Sequence, residues 1–167
     1  LQSFLMNPSQ PTIPAAPVLT AEAVGPLCLV TGGAGYLVSK IVQRLLDSGC
    51  RVCSLDVAPQ KPRDGVEAIQ ADLQDKKALQ KACEGVNTVF HTAALISLLS
   101  TYRATVKDRV FGVNVEGTRQ LLDAAAHAGV EAFVHTSSFN VALHPNGAGA
   151  KQDESSAYVH GNKDLYT

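Results

Sequence analysis

The sequence predicts an α/β fold built on a doubly wound parallel sheet, and three observations predict it. The apolar run Leu27–Thr31 stops at a glycine-rich turn, Gly32 to Gly35, and restarts as a helical pattern. Asp56 then closes the next strand-like run, 21 residues after Gly35 (56 − 35). Beyond it, strand-like and helix-like segments keep alternating, and parallel strands need such helical crossovers.

Residues 1–24 carry Pro8, Pro11, Pro14 and Pro17 with few large apolar side chains. That composition buries too little surface to offset chain entropy, which predicts a disordered Pro-rich tail ahead of one domain over 25–167. Leu27–Thr31 is a short continuous apolar run, the pattern of a parallel strand covered on both faces. From Gly35 to about Asp47, Leu37, Ile41, Val42, Leu45 and Leu46 recur at helical spacing, and Gly49 stands where a helix C-terminal glycine belongs. Arg51–Val57 reads as the second strand and Val66–Ala71 as the third. Asp75 suits the N-cap of a helix with Ala78, Leu79 and Ala82 inward, stopped near Gly85. Thr88–Thr92 is the fourth strand. One long helix over Val106–His127 turns Val110, Val113, Leu121, Leu122 and Ala125 inward and ends at Gly129; Glu131–Thr136 supplies the fifth strand.

At 167 residues the chain is long enough for one domain with its own core. A net charge of −1 with 17% charged residues gives no basic field for nucleic acid or an anionic membrane surface. No apolar run approaches the ~20 residues of a membrane span. The opening LQSFLM is too short, and lacks the basic start, for a signal peptide. Cys28, Cys50, Cys53 and Cys83 sit in apolar or strand-like contexts, which suits free thiols and a cytoplasmic location. Cys50 and Cys53 form a CxxC pair, but a zinc site needs a second ligand pair and none is present, so no metal is expected. The five histidines show neither HxxxH nor HxH spacing and read as strand and surface residues.

Gly32 and Gly35 allow a tight turn and close approach of backbone to a diphosphate, which the N–H groups of the new helix face. A GxxGxx turn alone is a weak signal, and Asp56 strengthens it. A carboxylate there can accept hydrogen bonds from both ribose hydroxyls and repels a 2′-phosphate, so NAD is the expected cofactor rather than NADP. Together these features specify a dinucleotide-binding Rossmann fold. Asp72 ends the third strand where adenine would lie, or is simply a turn residue. Ala93 and Ala94 leave room for a cofactor to cross the carboxyl edge of the sheet. Asn114 lies inside the long helix, where Asn is a poor helix former, and this suggests a specific hydrogen-bonding task. Thr136, Ser137 and Ser138 place hydroxyls at the end of the fifth strand beside the switch point, or bond their own loop. A tyrosine with its pKa lowered by a lysine one helical turn away, facing a serine, is a proton-transfer pair for alcohol and ketone interconversion. Lys163 follows Tyr158 by five residues, off that spacing, and Tyr166 is the penultimate residue.

Six pieces occur in order: VTGGAGYL at 30–37, LD at 55–56, ADL at 71–73, VFHTAALI at 89–96, NVEGT at 114–118 and FVHTSSFNV at 133–141. This series resembles the extended short-chain dehydrogenases/reductases, most closely their 3β-hydroxysteroid dehydrogenase/isomerase-like branch. The resemblance covers nearly everything after the tail and corresponds to the N-terminal, cofactor-binding part of a longer family member. It implies an NAD site at Gly32, Gly35, Tyr36, Leu37 and Asp56, with adenine near Asp72 and Leu73 and the nicotinamide ribose near Ala93 and Ala94. It implies Ser138 as the catalytic serine on the substrate oxygen and Asn114 as the helix asparagine of a proton relay. DLYT at 164–167 resembles the start of a YxxxK element, which makes Tyr166 the acid/base, 28 residues after Ser138 (166 − 138), and Tyr158 a decoy.

The implied activity is that of an NAD-dependent dehydrogenase acting on a CH–OH group of a small-molecule substrate, with ketosteroid isomerisation allowed. The alternatives are a sugar-nucleotide epimerase/dehydratase or non-steroid ketone reductase of the same fold, and a catalytically silent dinucleotide-binding module. The Val106–His127 helix is one candidate face for a homodimer, and the sheet beneath it explains its apolar residues equally well. Two features depart from the family pattern. Val38 replaces the third glycine of the fingerprint, and its methyls are expected to push the helix outward at roughly 1–3 kcal/mol where packing cannot relax. The lysine partner of Tyr166 and the substrate-binding region lie beyond Thr167, so the chain reads as a truncated fragment, inactive by itself.

Overall fold

The computed structural model describes residues 25–96, 104–138, 141 and 153. The expected Pro-rich tail, Tyr158, Lys163 and Tyr166 lie outside the described residues. Five strands, β1 (Leu27–Thr31), β2 (Arg51–Asp56), β3 (Val66–Gln70), β4 (Thr88–His91) and β5 (Ala132–His135), pair in parallel in the order β3-β2-β1-β4-β5. The chain order reverses between β1 and β4, which opens a crevice at the carboxyl ends of the strands. The helices are α1 (Tyr36–Asp47), α2 (Lys76–Ala82), α3 (Ala104–Phe111) and α4 (Thr118–Ala128), with a π-helical turn over Gly112–Gly117 between the last two. This is the doubly wound Rossmann architecture that the alternating pattern predicts.

Alternation along β1 builds both halves of the core. Leu29 joins Leu55, Leu79, Val89 and Leu121 on one side of the sheet, while Val30 joins Val38, Val42 and Val52 on the other. A strand buried on both faces is largely apolar, and LCLVT is so up to Thr31, whose buried hydroxyl is hydrogen-bonded. Asp75 caps α2 as expected, its carboxylate accepting from the N–H groups of Lys77 and Ala78 at 3.1 Å each. Gly49 and Gly129 close α1 and α4 in left-handed conformation, with φ of 78° and 74°.

Four expectations change. The inward stripe of α1 runs through Val38, Ile41, Val42 and Leu45, whereas Leu37 is 50% exposed. Val38 is 2% exposed and packs within the valine cluster, so the residue expected to push the helix outward is accommodated in its buried face. The single long helix is instead α3, the π turn and α4, and Leu122 is 45% exposed while its neighbour Leu121 is buried. The π turn coincides with specific ties: the Thr118 hydroxyl donates to the Asn114 carbonyl at 2.7 Å, and Gly117 comes so near Leu73 that a Cβ there would lie 2.8 Å from it. Finally, β2, β3, β4 and β5 each stop one residue before the predicted end. Val57, Ala71, Thr92 and Thr136 leave the ladder and become walls of the crevice.

Candidate functional site

The glycine turn is pinned to the sheet by its own backbone. Gly32, at φ 85°, donates to the Leu55 carbonyl at 2.8 Å and Gly33 donates to the same oxygen at 3.1 Å. A Cβ on Gly32 would approach the backbone of Ala93 to 3.3 Å, so the positive φ and the close neighbour both require glycine. Gly35 donates to the Gly32 carbonyl at 2.8 Å and is the N-cap of α1. It has no side chain to cap the helix, and no acid stands in the first turn, so the positive end of α1 carries no acidic residue of its own.

Asp56 stands beside this turn in a fixed orientation. Its Oδ2 accepts from the N–H of Ala34 at 3.0 Å and its Oδ1 from the N–H of Ala58 at 2.8 Å. Each carboxylate oxygen keeps acceptor capacity for one more donor, an arrangement that fits two neighbouring hydroxyls. A cleft of about 310 Å³ runs from Asp72 past Asp56, Gly32 and Gly35 to Ala93 and Ala94. Asp72 is both a turn residue and a cleft residue: its Oδ1 accepts from the N–H of Gln74 at 2.9 Å, while Leu73 is buried beneath. Tyr36, 83% exposed, and Leu37 lie on the first turn of α1 and do not line this cleft. Lys40 lies over the Tyr36 ring, 5.8 Å from its centroid.

A second pocket of about 290 Å³ shares Ala93 and Ala94 with the first and is also lined by Asn114, Thr118, His135, Thr136 and Ser137. The Asn114 amide clamps the segment after β4, Oδ1 accepting from the N–H of Leu95 at 2.7 Å and Nδ2 donating to its carbonyl at 3.1 Å. Thr136 donates its N–H to the His91 carbonyl at 2.9 Å, which carries the chain from β5 to Ser138. Ser138 is half-buried, and its carbonyl accepts from the N–H of Val141 at 3.2 Å.

The residue that the sequence reading missed is His91. It is wholly buried, with Nδ1 2.7 Å from the Thr31 hydroxyl and Nε2 2.9 Å from the Thr118 hydroxyl. Thr118 gives its proton to Asn114, so Nε2 carries the hydrogen and donates to Thr118. Nδ1 therefore accepts from Thr31, whose oxygen accepts in turn from the N–H groups of Thr92 and Ala93 at 3.2 Å each. Burial first, and His135 stacked at 5.2 Å second, lower the pKa of His91 to about 4. The signal was present in the sequence: in β4 His91 shares the inward phase of Val89, and a polar residue there must find partners.

Cys28, Cys53 and Cys83 are buried free thiols whose pKa values are pushed up to about 11, chiefly by burial. Among the described residues no group of three or more His, Cys, Asp or Glu could hold a metal ion, and no helix is long and apolar enough to cross a membrane.

The model of the 3-beta hydroxysteroid dehydrogenase/isomerase family matches residues 29–167. The chain is 42% identical over 144 residues to a 3 beta-hydroxysteroid dehydrogenase/Delta 5→4-isomerase from Mycobacterium tuberculosis, covering 83% of this chain and 38% of that protein. It therefore spans well under half the length of this curated relative. Among solved structures, a short-chain dehydrogenase/reductase superfamily protein from Agrobacterium tumefaciens with bound NAD is 42% identical, with a TM-score of 0.61 over 69% of this chain and 33% of that one. MoeE5 in complex with UDP-glucuronic acid and NAD is 32% identical, with a TM-score of 0.70 over 81% and 43%.

Proposed function

The chain belongs to the 3-beta hydroxysteroid dehydrogenase/isomerase family, and from that premise we propose that it is the NAD-binding part of an oxidoreductase acting on the CH–OH group of a 3β-hydroxysteroid. The carrying observation is Asp56, held by Ala34 and Ala58 with acceptor capacity to spare, beside a turn in which Gly32 takes a positive φ and lies close against Ala93. This donor set fits NAD. NAD, when bound, supplies the hydride acceptor.

The turn from Gly32 to Gly35, its own N–H groups bonded within the fold, brings the start of α1 to the diphosphate, which the N–H groups of Tyr36 and Leu37 on the first helical turn face. Asp56 accepts from the ribose hydroxyls and repels a 2′-phosphate. Asp72 and Leu73 border adenine, and the small side chains of Ala93 and Ala94 leave space at the nicotinamide ribose. Ser138 donates to the substrate oxygen and Tyr166 takes up the hydroxyl proton as the C–H bond yields its hydride. Asn114 holds the segment after β4 in place for that chemistry and belongs to the proton relay. The free thiols support a cytoplasmic location. A homodimer through α3 and α4 would cover the exposed Phe111, Val115 and Leu122.

A second reading, action on a nucleotide sugar, draws support from the UDP-glucuronic acid bound to MoeE5. Isothermal titration tests the cofactor first: NAD is expected to bind and NADP to bind more weakly. No heat with NAD at millimolar concentration would overturn the proposal. For the reaction, NADH absorbance appearing when the full-length protein is given a 3β-hydroxysteroid supports the first reading; no turnover of the steroid, with conversion of a UDP-sugar instead, supports the second.

A further inference from the structure

Among the described residues, Arg109 is the one basic side chain lining the cleft that also holds Asp56 and Asp72. It lies on α3, one turn before Val113, which lines the same cleft, and beside Val110, which is buried. On its own helical stretch the positions three and four residues away are Thr105, Val106, Gly112 and Val113, none of them an acid. Among the described residues Arg109 makes no hydrogen bond or ion pair.

Its place in the cleft is set by the neighbouring turn. Three residues on, a Cβ at Gly112 would come within 3.3 Å of Gln74, so this stretch closes on the turn after β3, where Asp72, Leu73 and Gln74 lie. The glycine turn and its diphosphate position belong instead to β1, two strands away in the sheet. Among the described residues no Phe, Tyr or Trp lines the cleft, so no aromatic ring there covers a base. A guanidinium is planar, weakly hydrated and stacks on aromatic faces, which suits it to that place.

We propose that Arg109 is an adenine-binding residue whose guanidinium covers the open face of the base, opposite the wall formed by Asp72 and Leu73. The inference rests on the NAD reading above and adds to it a side chain and a mode of contact.

Titration of the full chain with NAD, AMP and nicotinamide mononucleotide, at low and high salt, tests it with R109Q and R109K. R109Q is expected to weaken NAD and AMP by the same factor, about five- to tenfold, and to leave nicotinamide mononucleotide unchanged. That factor is expected to persist at high salt, and R109K is expected to fall between wild type and R109Q. A loss that vanishes at high salt and is fully restored by R109K would mean a phosphate contact and overturn stacking. NAD affinity unchanged in R109Q would remove Arg109 from the site while leaving the NAD reading intact. Failure of the wild-type chain to bind NAD or AMP would overturn both. Thermal melts of the three proteins, expected to coincide because the Arg109 charge supports no described contact, separate lost binding from lost folding.

Discussion

Around Gly32 to Gly35 the cleft is shaped by a main-chain turn whose N–H groups bond Leu55, Gly32 and the Asp56 carboxylate, whereas across it, from β4 to α4, the structure is set by buried and half-buried side chains bonded to one another and to the main chain. In the first region the geometry follows from backbone conformation: glycine at positive φ, a helix start without a capping side chain, and Asp56 oriented by two main-chain donors. In the second it follows from His91, Thr31, Thr118 and Asn114, drawn from β1, β4, the π turn and α4. The difference predicts that substitutions in the second region will damage stability, while those at Asp56 will damage binding.

The largest effect is expected from His91→Leu, which removes the acceptor of the buried Thr31 hydroxyl and the donor to Thr118. A loss of about 3–4 kcal/mol in chemical denaturation is expected. A result within about 0.5 kcal/mol of wild type would mean that the network is not what holds this half together. Next comes the pH dependence. His91 has a folded pKa lowered to about 4 against an ordinary value of 6.5, so the unfolded chain binds the extra proton between those values. Its contribution is complete above pH 6.5 and is lost as pH falls toward 4, roughly 3 kcal/mol in all. Comparing wild type with His91→Leu across this window isolates it as a difference in slope.

Val38→Gly tests the first region in the terms of the second. Restoring the family glycine empties a buried site among Val30, Val42 and Val52 and places glycine inside a helix, for an expected loss of about 2–3 kcal/mol by thermal or chemical melting. NAD affinity is expected to stay within about twofold, which corresponds to about 0.4 kcal/mol. A marked tightening would show instead that Val38 holds α1 away from the diphosphate. The smallest stability effect belongs to Asp56→Asn, at a half-buried position where the new side chain keeps an acceptor. Its cost is expected in binding, about tenfold in Kd for NAD by calorimetry, with a narrowed preference over NADP.

The same contrast explains what the sequence could disclose. Leu27–Thr31, the glycine turn and Asp56 were legible because apolar runs, turn residues and strand-end carboxylates are local patterns, and the six family pieces fixed their order. The π turn was not legible, since Val110, Leu121 and Ala125 keep helical spacing across it while the ties that accompany it, Asn114 to Leu95 and Thr118 to Asn114, depend on folded contacts. His91 was underestimated for the same reason: its partners lie 60 and 27 residues away. The strand ends were drawn one residue long because Val57, Ala71, Thr92 and Thr136 suit a strand by type yet turn aside to line the crevice.

The hydrogen-bonded chain through His91 begins at the peptide N–H groups of Thr92 and Ala93 and ends at the peptide carbonyl of Asn114, with every intervening proton committed in one direction. Neither terminus can take up or release a proton, so the chain is an insulator rather than a wire. His91, buried behind the crevice and absent from its lining, is thereby held as one neutral tautomer with both ring nitrogens committed.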